Sequence, residues 1–281
     1  MDLSRIEDVK TALKLAGIRP NKALGQHFLV DATSLEAIVA AANPTPADTV
    51  LEIGPGLGVM TMPLTQRAGK VVAVEADGTL AALLRRDAPA NLEVIESDIL
   101  KFNLTGLPPQ YKVIANLPYY LTSKIIRLLI ESPNPPSIMS LLVQKEVAER
   151  ITANPGHMSV LALSVQYYGR PALVAYVERH KFWPAPDVDS AVLQISLGRP
   201  AFPADTAKLF RLIKAGFGEK RKTLKNALAG ALNLSPELTL ELLSVANILP
   251  QARAQELDLP SWQRLYQAAT TPMPGGQVVL P

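Results

Sequence analysis

Short apolar runs recur along the first half of the chain, at residues 50–53, 71–74, 92–95 and 113–115. They show little polar alternation, which is the pattern of strands buried on both faces. A fifth run spans 138–143. Between the runs, apolar residues fall at helical spacing near 61–67, 80–86 and 123–130, and a further helix is predicted from about Lys145. Strands and helices alternating at this interval predict a doubly wound, Rossmann-like α/β sheet with parallel strands. Two later runs, 173–177 and 191–197, bring the strands to seven and suit an antiparallel edge. Ahead of the first strand, Ser4 and Glu7 have capping-box spacing, Ile6, Val9 and Leu13 share a helical face, and Gly17 reads as the stop. A loop over 20–28 and a helix over 33–42 follow. Gly198-Arg199-Pro200 marks a boundary, beyond which 204–269 read only as helices. The expected organisation is a large α/β domain over 1–199 with an N-terminal helical segment, a small all-α domain over 200–270, and a loose Pro/Gly tail over 271–281. No internal repeat is visible.

Composition narrows the class. The 281 residues are 48% hydrophobic, enough for a sizeable core. The absence of Cys excludes disulfides, thiolate metal sites and a Cys nucleophile, and it fits a reducing compartment. No apolar run reaches the length of a membrane span. Met1-Asp2-Leu3-Ser4 lacks the basic start and apolar stretch of a secretory signal. A cytoplasmic, monomeric protein is expected. The three His residues, 27, 157 and 180, show no metal spacing, so no metal is expected. The net charge of +3 arises wholly in residues 201–281, because residues 1–200 balance nineteen Lys/Arg against nineteen Asp/Glu. Lys220, Arg221, Lys222 and Lys225 form the densest basic cluster, predicted to lie on one helical flank. Arg5, Lys10, Lys14, Arg19 and Lys22 form a second patch. Two basic patches beside a neutral body suit a polyanion. Solvated helix faces are the plainer reading of charge alone.

Two motifs carry chemistry. Glu52-Ile53-Gly54-Pro55-Gly56-Leu57-Gly58 places glycines just past the first strand, where the backbone can approach a ligand at the sheet's carboxyl end. That pattern alone also fits a dinucleotide fold. Glu75 ends the second strand, 21 residues after Gly54, where an acid can hold both ribose hydroxyls. Asp98 follows the third strand, where a carboxylate can accept from an adenine amino group. Pro55 removes a backbone donor from the turn, and no phosphate-binding Lys is present. A cofactor with ribose and adenine but no phosphates fits, and S-adenosylmethionine is one. The structural alternatives are a helix cap for Asp98 and a surface role for Glu75. The second motif, Asn116-Leu117-Pro118-Tyr119, ends the strand over 113–115. It offers an amide oxygen, a stiff turn and an aromatic face, which suits chemistry on the amino group of a nucleobase. A strand-ending turn with one packed Tyr is the bland alternative.

Taken with 24–29, 144–147, Phe182-x-Pro184-x-Pro186-x-Val188-x-Ser190 and 221–226, these strings make the chain resemble the KsgA-type small-subunit rRNA adenine dimethyltransferases over about residues 18–270. The resemblance implies transfer of two methyl groups to each of two adjacent adenosines near the 3′ end of small-subunit (16S) rRNA. It implies that His27, Leu29, Gly54, Gly56, Glu75, Asp98 and Asn116 line an S-adenosylmethionine site, and that the partner is an assembling small ribosomal subunit. His27 stands where many relatives have Asn, and the loop 154–157 is shorter than theirs. For the chemistry, the Asn116 side-chain oxygen and the Leu117 carbonyl are expected to accept the amino hydrogens, with Pro118 stiffening the turn. Tyr119 and Phe182 are expected to stack on the flipped base, with an ordinary core aromatic as the alternative for Phe182. The helical domain, through Lys220, Arg221, Lys222 and Lys225, is expected to grip RNA. Rival readings are a large-subunit rRNA methyltransferase of the erythromycin-resistance type, a non-catalytic assembly factor that kept the fold, and a methyltransferase acting on protein or small molecules.

Overall fold

The computed structural model describes residues 3–20, 25–219 and 221–271. Lys22, Leu24, Lys220 and all of the tail beyond Thr271 therefore lie outside the described residues. The chain divides into two compact units, Met1–Glu149 with Arg170–Gly198, and Arg150–Gly169 with Arg199–Pro281.

The first unit opens with α1 (Ile6–Leu15), the two-residue β1 (Phe28–Leu29) and α2 (Ala32–Ala42). The cap position of α1 is held by Arg5, one residue past the expected Ser4, and the Arg5 side chain makes no bond to the first turn. Gly17 does stop the helix, in the left-handed conformation at φ 67°. Then come β2 (Thr49–Ile53), α3 (Thr61–Thr65), β3 (Lys70–Glu75), α4 (Gly78–Arg86), β4 (Leu92–Glu96), β5 (Lys112–Asn116), α5 (Thr122–Ile130), β6 (Ile138–Gln144) and α6 (Lys145–Ile151). The four central strands β2, β3, β5 and β6 are buried along nearly their whole length, as unalternating apolar runs require. Asp77 caps α4 by accepting from the backbone N–H groups of Thr79 and Leu80, and so fixes where that helix leaves β3.

After α7 (Val160–Tyr168), the chain forms β7 (Gly169–Val177), the two-residue β8 (Phe182–Trp183) and β9 (Ser190–Leu197). The large sheet has the order β4-β3-β2-β5-β6-β9-β7. β2 pairs in parallel with both β3 and β5, β3 with β4 and β5 with β6, whereas β9 runs antiparallel to β6. The expected seven-stranded sheet is therefore present. Its order reverses at β2, so a crevice opens at the carboxyl ends of β2 and β5. β1 and β8 form a separate antiparallel pair, Phe28 opposite Trp183 and Leu29 opposite Phe182.

The second unit is helical: α7, α8 (Thr206–Phe217), α9 (Leu224–Leu232), α10 (Pro236–Val245) and α11 (Leu259–Thr270). Leu163, Leu212, Leu228, Leu242, Trp262 and Leu265 are fully buried in one core. Here the structure departs from the expected boundary at 199. Residues 150–169 belong to this unit, because α7 buries Ala162, Leu163 and Tyr167 in its core. The Tyr167 hydroxyl also donates to the Phe202 carbonyl at 2.9 Å.

Candidate active site

A cavity opens at the carboxyl ends of β2, β3, β4 and β5. Among its walls are His27, Leu29, Gly54, Gly56, Glu75, Asp98 and Asn116, so all seven residues expected to hold the cofactor border one space. The turn after β2 is built from glycines at positive φ: 66° at Gly54, 61° at Gly56 and 84° at Gly58. At Gly56 a Cβ would stand 3.1 Å from the Phe28 ring, so the turn needs glycine for both conformation and space.

Glu75 is only 7% exposed. Its carboxylate accepts from the Gly56 N–H at 3.0 Å and from the Asp77 N–H at 2.9 Å. Burial raises its pKa, and these backbone bonds oppose the rise by favouring the charged form. The carboxylate thus ties the glycine turn to the end of β3 and still borders the cavity. Asp98 does two jobs: one oxygen caps the following 3₁₀ turn by accepting from the Leu100 N–H at 2.9 Å, and the residue lines the cavity beside Ser97 and Ile99.

Asn116 ends β5. Its amide nitrogen donates to the His27 carbonyl at 2.9 Å, which turns its side-chain oxygen away from that bond and leaves it available as an acceptor. Gln26 reaches the Asp77 carboxylate at 3.3 Å, and the His27 Nδ1 lies 2.7 Å from the Pro184 carbonyl. Residues 25–29 therefore form a strap pinned to three separate segments. Gly25 permits it, at φ 66° and with a Cβ position 3.4 Å from Pro118.

The rest of the lip departs in part from expectation. The Leu117 side chain is buried and its N–H donates to Leu142. The Pro118 carbonyl accepts from Leu121. Tyr119 stacks on His27, with ring centroids 5.9 Å apart and planes 18° apart, and its hydroxyl lies 2.6 Å from that of Ser190. Phe182 does not face the cavity. It is 2% exposed and packs in the core with Leu29, Ile38 and Val192, because β8 pairs with β1 and turns the ring inward. The aromatic at the mouth is Tyr120, 58% exposed and among the cavity-lining residues. Its place at the end of a Tyr-Tyr pair was the only signal of it in the sequence.

Glu52 is a second buried acid that sequence reasoning left without a role. It is 0% exposed, and neither its carboxyl oxygens nor the Thr61 hydroxyl makes a hydrogen bond of ordinary geometry. Burial pushes its pKa up to about 8; the nearby Thr61 hydroxyl opposes this and the Glu75 charge adds to it. At neutral pH Glu52 is therefore mainly protonated. This lets two acids meet behind the glycine turn without two buried charges.

The basic cluster is not one helical flank. Arg221 and Lys222 lie in the turn between α8 and α9, and Lys225 lies in the first turn of α9. Arg221 is exposed, and Lys222 pairs with Glu219 at 2.7 Å. Among the described residues no group of three His, Asp or Glu is placed to hold a metal ion. No helix among them is long and apolar enough to cross a membrane.

A mixed, mainly parallel sheet with this order, a glycine turn after β2 and acids at the ends of β3 and β4 is the architecture of a methyltransferase. The chain matches the family model of the ribosomal RNA adenine dimethylases over residues 17–271, and it belongs to that family. It is 44% identical over 255 residues to "Ribosomal RNA small subunit methyltransferase A" of Dehalococcoides mccartyi, covering 88% of each chain. It is 43% identical over 274 residues to the protein of the same name from Pelotomaculum thermopropionicum, covering 89% of this chain and 92% of that one. Among solved structures it resembles a dimethyladenosine transferase from Plasmodium falciparum, with a TM-score of 0.71 and 27% identity over 84% of this chain and 95% of that one. The 23S rRNA methyltransferase ErmE is as similar in fold, with a TM-score of 0.71 and 25% identity over 86% of this chain and 99% of that one.

Proposed function

We propose that this rRNA adenine dimethyltransferase uses S-adenosylmethionine to dimethylate the exocyclic amino groups of two adjacent adenosines near the 3′ end of small-subunit rRNA. It acts in the cytoplasm, as a monomer, on an assembling small subunit. The observation that carries the reading is Asn116, whose amide is oriented by the His27 carbonyl so that its oxygen is free at the same cavity that Glu75 and Asp98 border. The residues fit the cofactor. Glu75 can accept from both ribose hydroxyls, Asp98 from the adenine amino group through its uncapped oxygen, and the glycine turn admits close approach.

S-adenosylmethionine supplies a methyl group on a sulfonium sulfur, already a strong electrophile. The enzyme's task is the weak nucleophile, because the lone pair of an adenine amino group is delocalised into the ring. Asn116 Oδ1 and the Leu117 carbonyl accept the two amino hydrogens and favour a pyramidal nitrogen with its lone pair aimed at the methyl carbon. Such fixed acceptors need no reorganisation as the bond forms. Transfer would break the methyl–sulfur bond and leave a neutral thioether, and the cationic amino nitrogen would pass one proton to water; with one hydrogen left, a single acceptor still orients the nitrogen for the second transfer. The target base must leave its stack to reach these groups. The Tyr119 ring, backed by His27 and held by Ser190, gives it a stacking face worth about 1–3 kcal/mol.

Relatives 44% and 43% identical to this chain carry small-subunit names, and this favours small-subunit over large-subunit rRNA. A labelled-cofactor assay on isolated small and large subunits, read by mass spectrometry of the digested rRNA, tests the choice. Dimethyladenosine in the small-subunit rRNA is expected. Label confined to 23S rRNA would overturn the reading.

A further inference from the structure

We infer that Tyr120 is a second base-stacking residue of the site: it holds one adenosine of the adjacent pair while the amino group of the other is methylated. The inference rests on the proposed RNA substrate and deepens it. Tyr120 is 58% exposed, and its hydroxyl makes no hydrogen bond among the described residues. Single exposed aromatics are common on protein surfaces. This one is set apart by its place, because it borders the same cavity as Asn116 and comes four residues after it.

The backbone explains why two neighbouring rings serve two places. Tyr119–Leu121 is a single 3₁₀ turn at the end of the lip. Consecutive side chains in such a turn diverge by about 120°. Tyr119 leaves the turn toward Ser190 and His27. Tyr120 leaves it toward the other end of the strap, where a Cβ at Gly25 would stand 3.7 Å from Tyr120 Cε1. The strap therefore meets one ring at His27 and the other at Gly25. Glycine at position 25 lets the backbone close on Pro118 and Tyr120 together, since the same Cβ would stand 3.4 Å from Pro118. Leu121 and Ile125 continue the cavity wall beyond Tyr120 with apolar surface.

The chemistry of the substrate supplies the second base. An adenine that flips out of its stack leaves its neighbour with one face uncovered. Proteins that read unpaired RNA cover such a face with an aromatic side chain, and any base can be held in this way. Tyr119 takes the base being methylated, and Tyr120, at the mouth, takes the base beside it. Tyr120 follows β5, the strand that ends in Asn116, whereas the acids suited to the cofactor's ribose and adenine, Glu75 and Asp98, follow β3 and β4. The ring thus belongs to the side of the cavity that meets the RNA. Because both adenosines of the pair are methylated in turn, each occupies the Tyr120 place while the other reacts.

The test uses the full chain, S-adenosylmethionine and unmethylated small-subunit particles, with Tyr120→Ala, Tyr120→Leu and Tyr120→Phe. Ala and Leu should each raise the particle concentration for half-maximal methylation by roughly tenfold, the scale of one base stacked on a ring. The rate at saturating particles should stay within about threefold of wild type, because the acceptors at Asn116 and Leu117 are untouched. Phe keeps the flat face and should behave as wild type, and Leu keeps apolar bulk without that face. Calorimetry should show S-adenosylmethionine affinity unchanged in all three. In particles rebuilt with an abasic unit at one of the two adenosines, wild type and Tyr120→Ala should methylate the remaining one with the same half-saturation. The assignment falls if Ala and Leu stay within twofold of wild type on intact particles, or if Phe loses as much as Ala. It also falls if cofactor affinity drops instead, which would put the ring over the cofactor, or if Ala remains tenfold weaker on the abasic particles. Wild-type protein that methylates the particles while the variants match it sinks only this role for Tyr120. Wild-type protein that leaves small-subunit rRNA unmethylated sinks the proposed substrate and this role with it.

Discussion

At the scale of single residues, the site turns on how two polar groups are held. Asn116 is useful because the His27 carbonyl consumes its donor. Asn116→Ala should lower methyl transfer by about 10²–10³-fold, the cost of one preorganised polar group. Calorimetry should show S-adenosylmethionine affinity much less changed, and near-normal turnover would remove Asn116 from the acceptor role. Glu52 makes a different kind of prediction. Its folded pKa of about 8 lies above its ordinary 4.5, so the folded state holds a proton that the unfolded state releases. Its contribution is fully present below about pH 4.5 and is lost as pH rises through about 8. With about 1.4 kcal/mol per pKa unit, the loss reaches a few kcal/mol. Glu52→Gln keeps the shape without the ionisation. Its urea midpoint should fall less than that of wild type between pH 5 and pH 8.5, and parallel pH dependences would show that Glu52 does not titrate in this window. Glu52 was visible in the sequence only as the residue before Ile53 and the glycines. That it is fully buried beside Thr61 is a property of the packed turn, which no spacing reveals.

At the scale of elements, runs of apolar residues were the readable signal. β2, β3, β5 and β6 were each legible to within two residues at either end, because strands buried on both faces leave an uninterrupted apolar string. α7 was not legible. Ala162, Leu163, Ser164, Val165 and Tyr167 are all buried, so the helix has no polar face to set a 3.6-residue period. β1 and β8 are two residues each and exist only because the strap folds back on the segment before Pro184. That pairing decides the fate of Phe182, whose ring fills the core instead of meeting the flipped base. The turn after β2 offers an element-scale test. Gly54 and Gly56 share the left-handed conformation, at φ 66° and 61°, so Ala strains both by roughly 1–2 kcal/mol. Only at Gly56 does the new Cβ press on Phe28, at 3.1 Å, against 4.0 Å to the nearest atom at Gly54. Thermal melts without cofactor should therefore rank Gly56→Ala below Gly54→Ala. Equal melting points would mean that the strap carrying Phe28 yields without cost.

At the scale of the whole molecule, the chemistry and the charge belong to different units. The cofactor cavity, whose acidic walls are Glu75 and Asp98, is lined by the α/β unit, and the surplus of positive charge in residues 201–281 belongs to the helical one. Enzymes acting on structured RNA draw much of their affinity from phosphate contacts that carry no sequence information. The exposed turn between α8 and α9 is suited to such contacts: Arg221 is solvent-exposed, and Lys222 is held only by a surface pair with Glu219, a kind of pair worth at most about 1 kcal/mol. Arg221→Glu with Lys222→Glu should weaken binding to small-subunit particles and reduce the salt slope by roughly 0.7–0.9 log units for each phosphate no longer neutralised. Thermal stability should stay near wild type, because neither side chain enters the core around Trp262. Cofactor affinity should also hold, since neither residue lines that cavity. The comparison needs particle affinity for both proteins across a salt series and single-turnover methylation at saturating RNA. Weaker affinity with preserved single-turnover rate assigns the turn to docking. An unchanged salt slope with activity intact would show that the helical unit's charge serves another partner, and that RNA is held by the α/β unit alone.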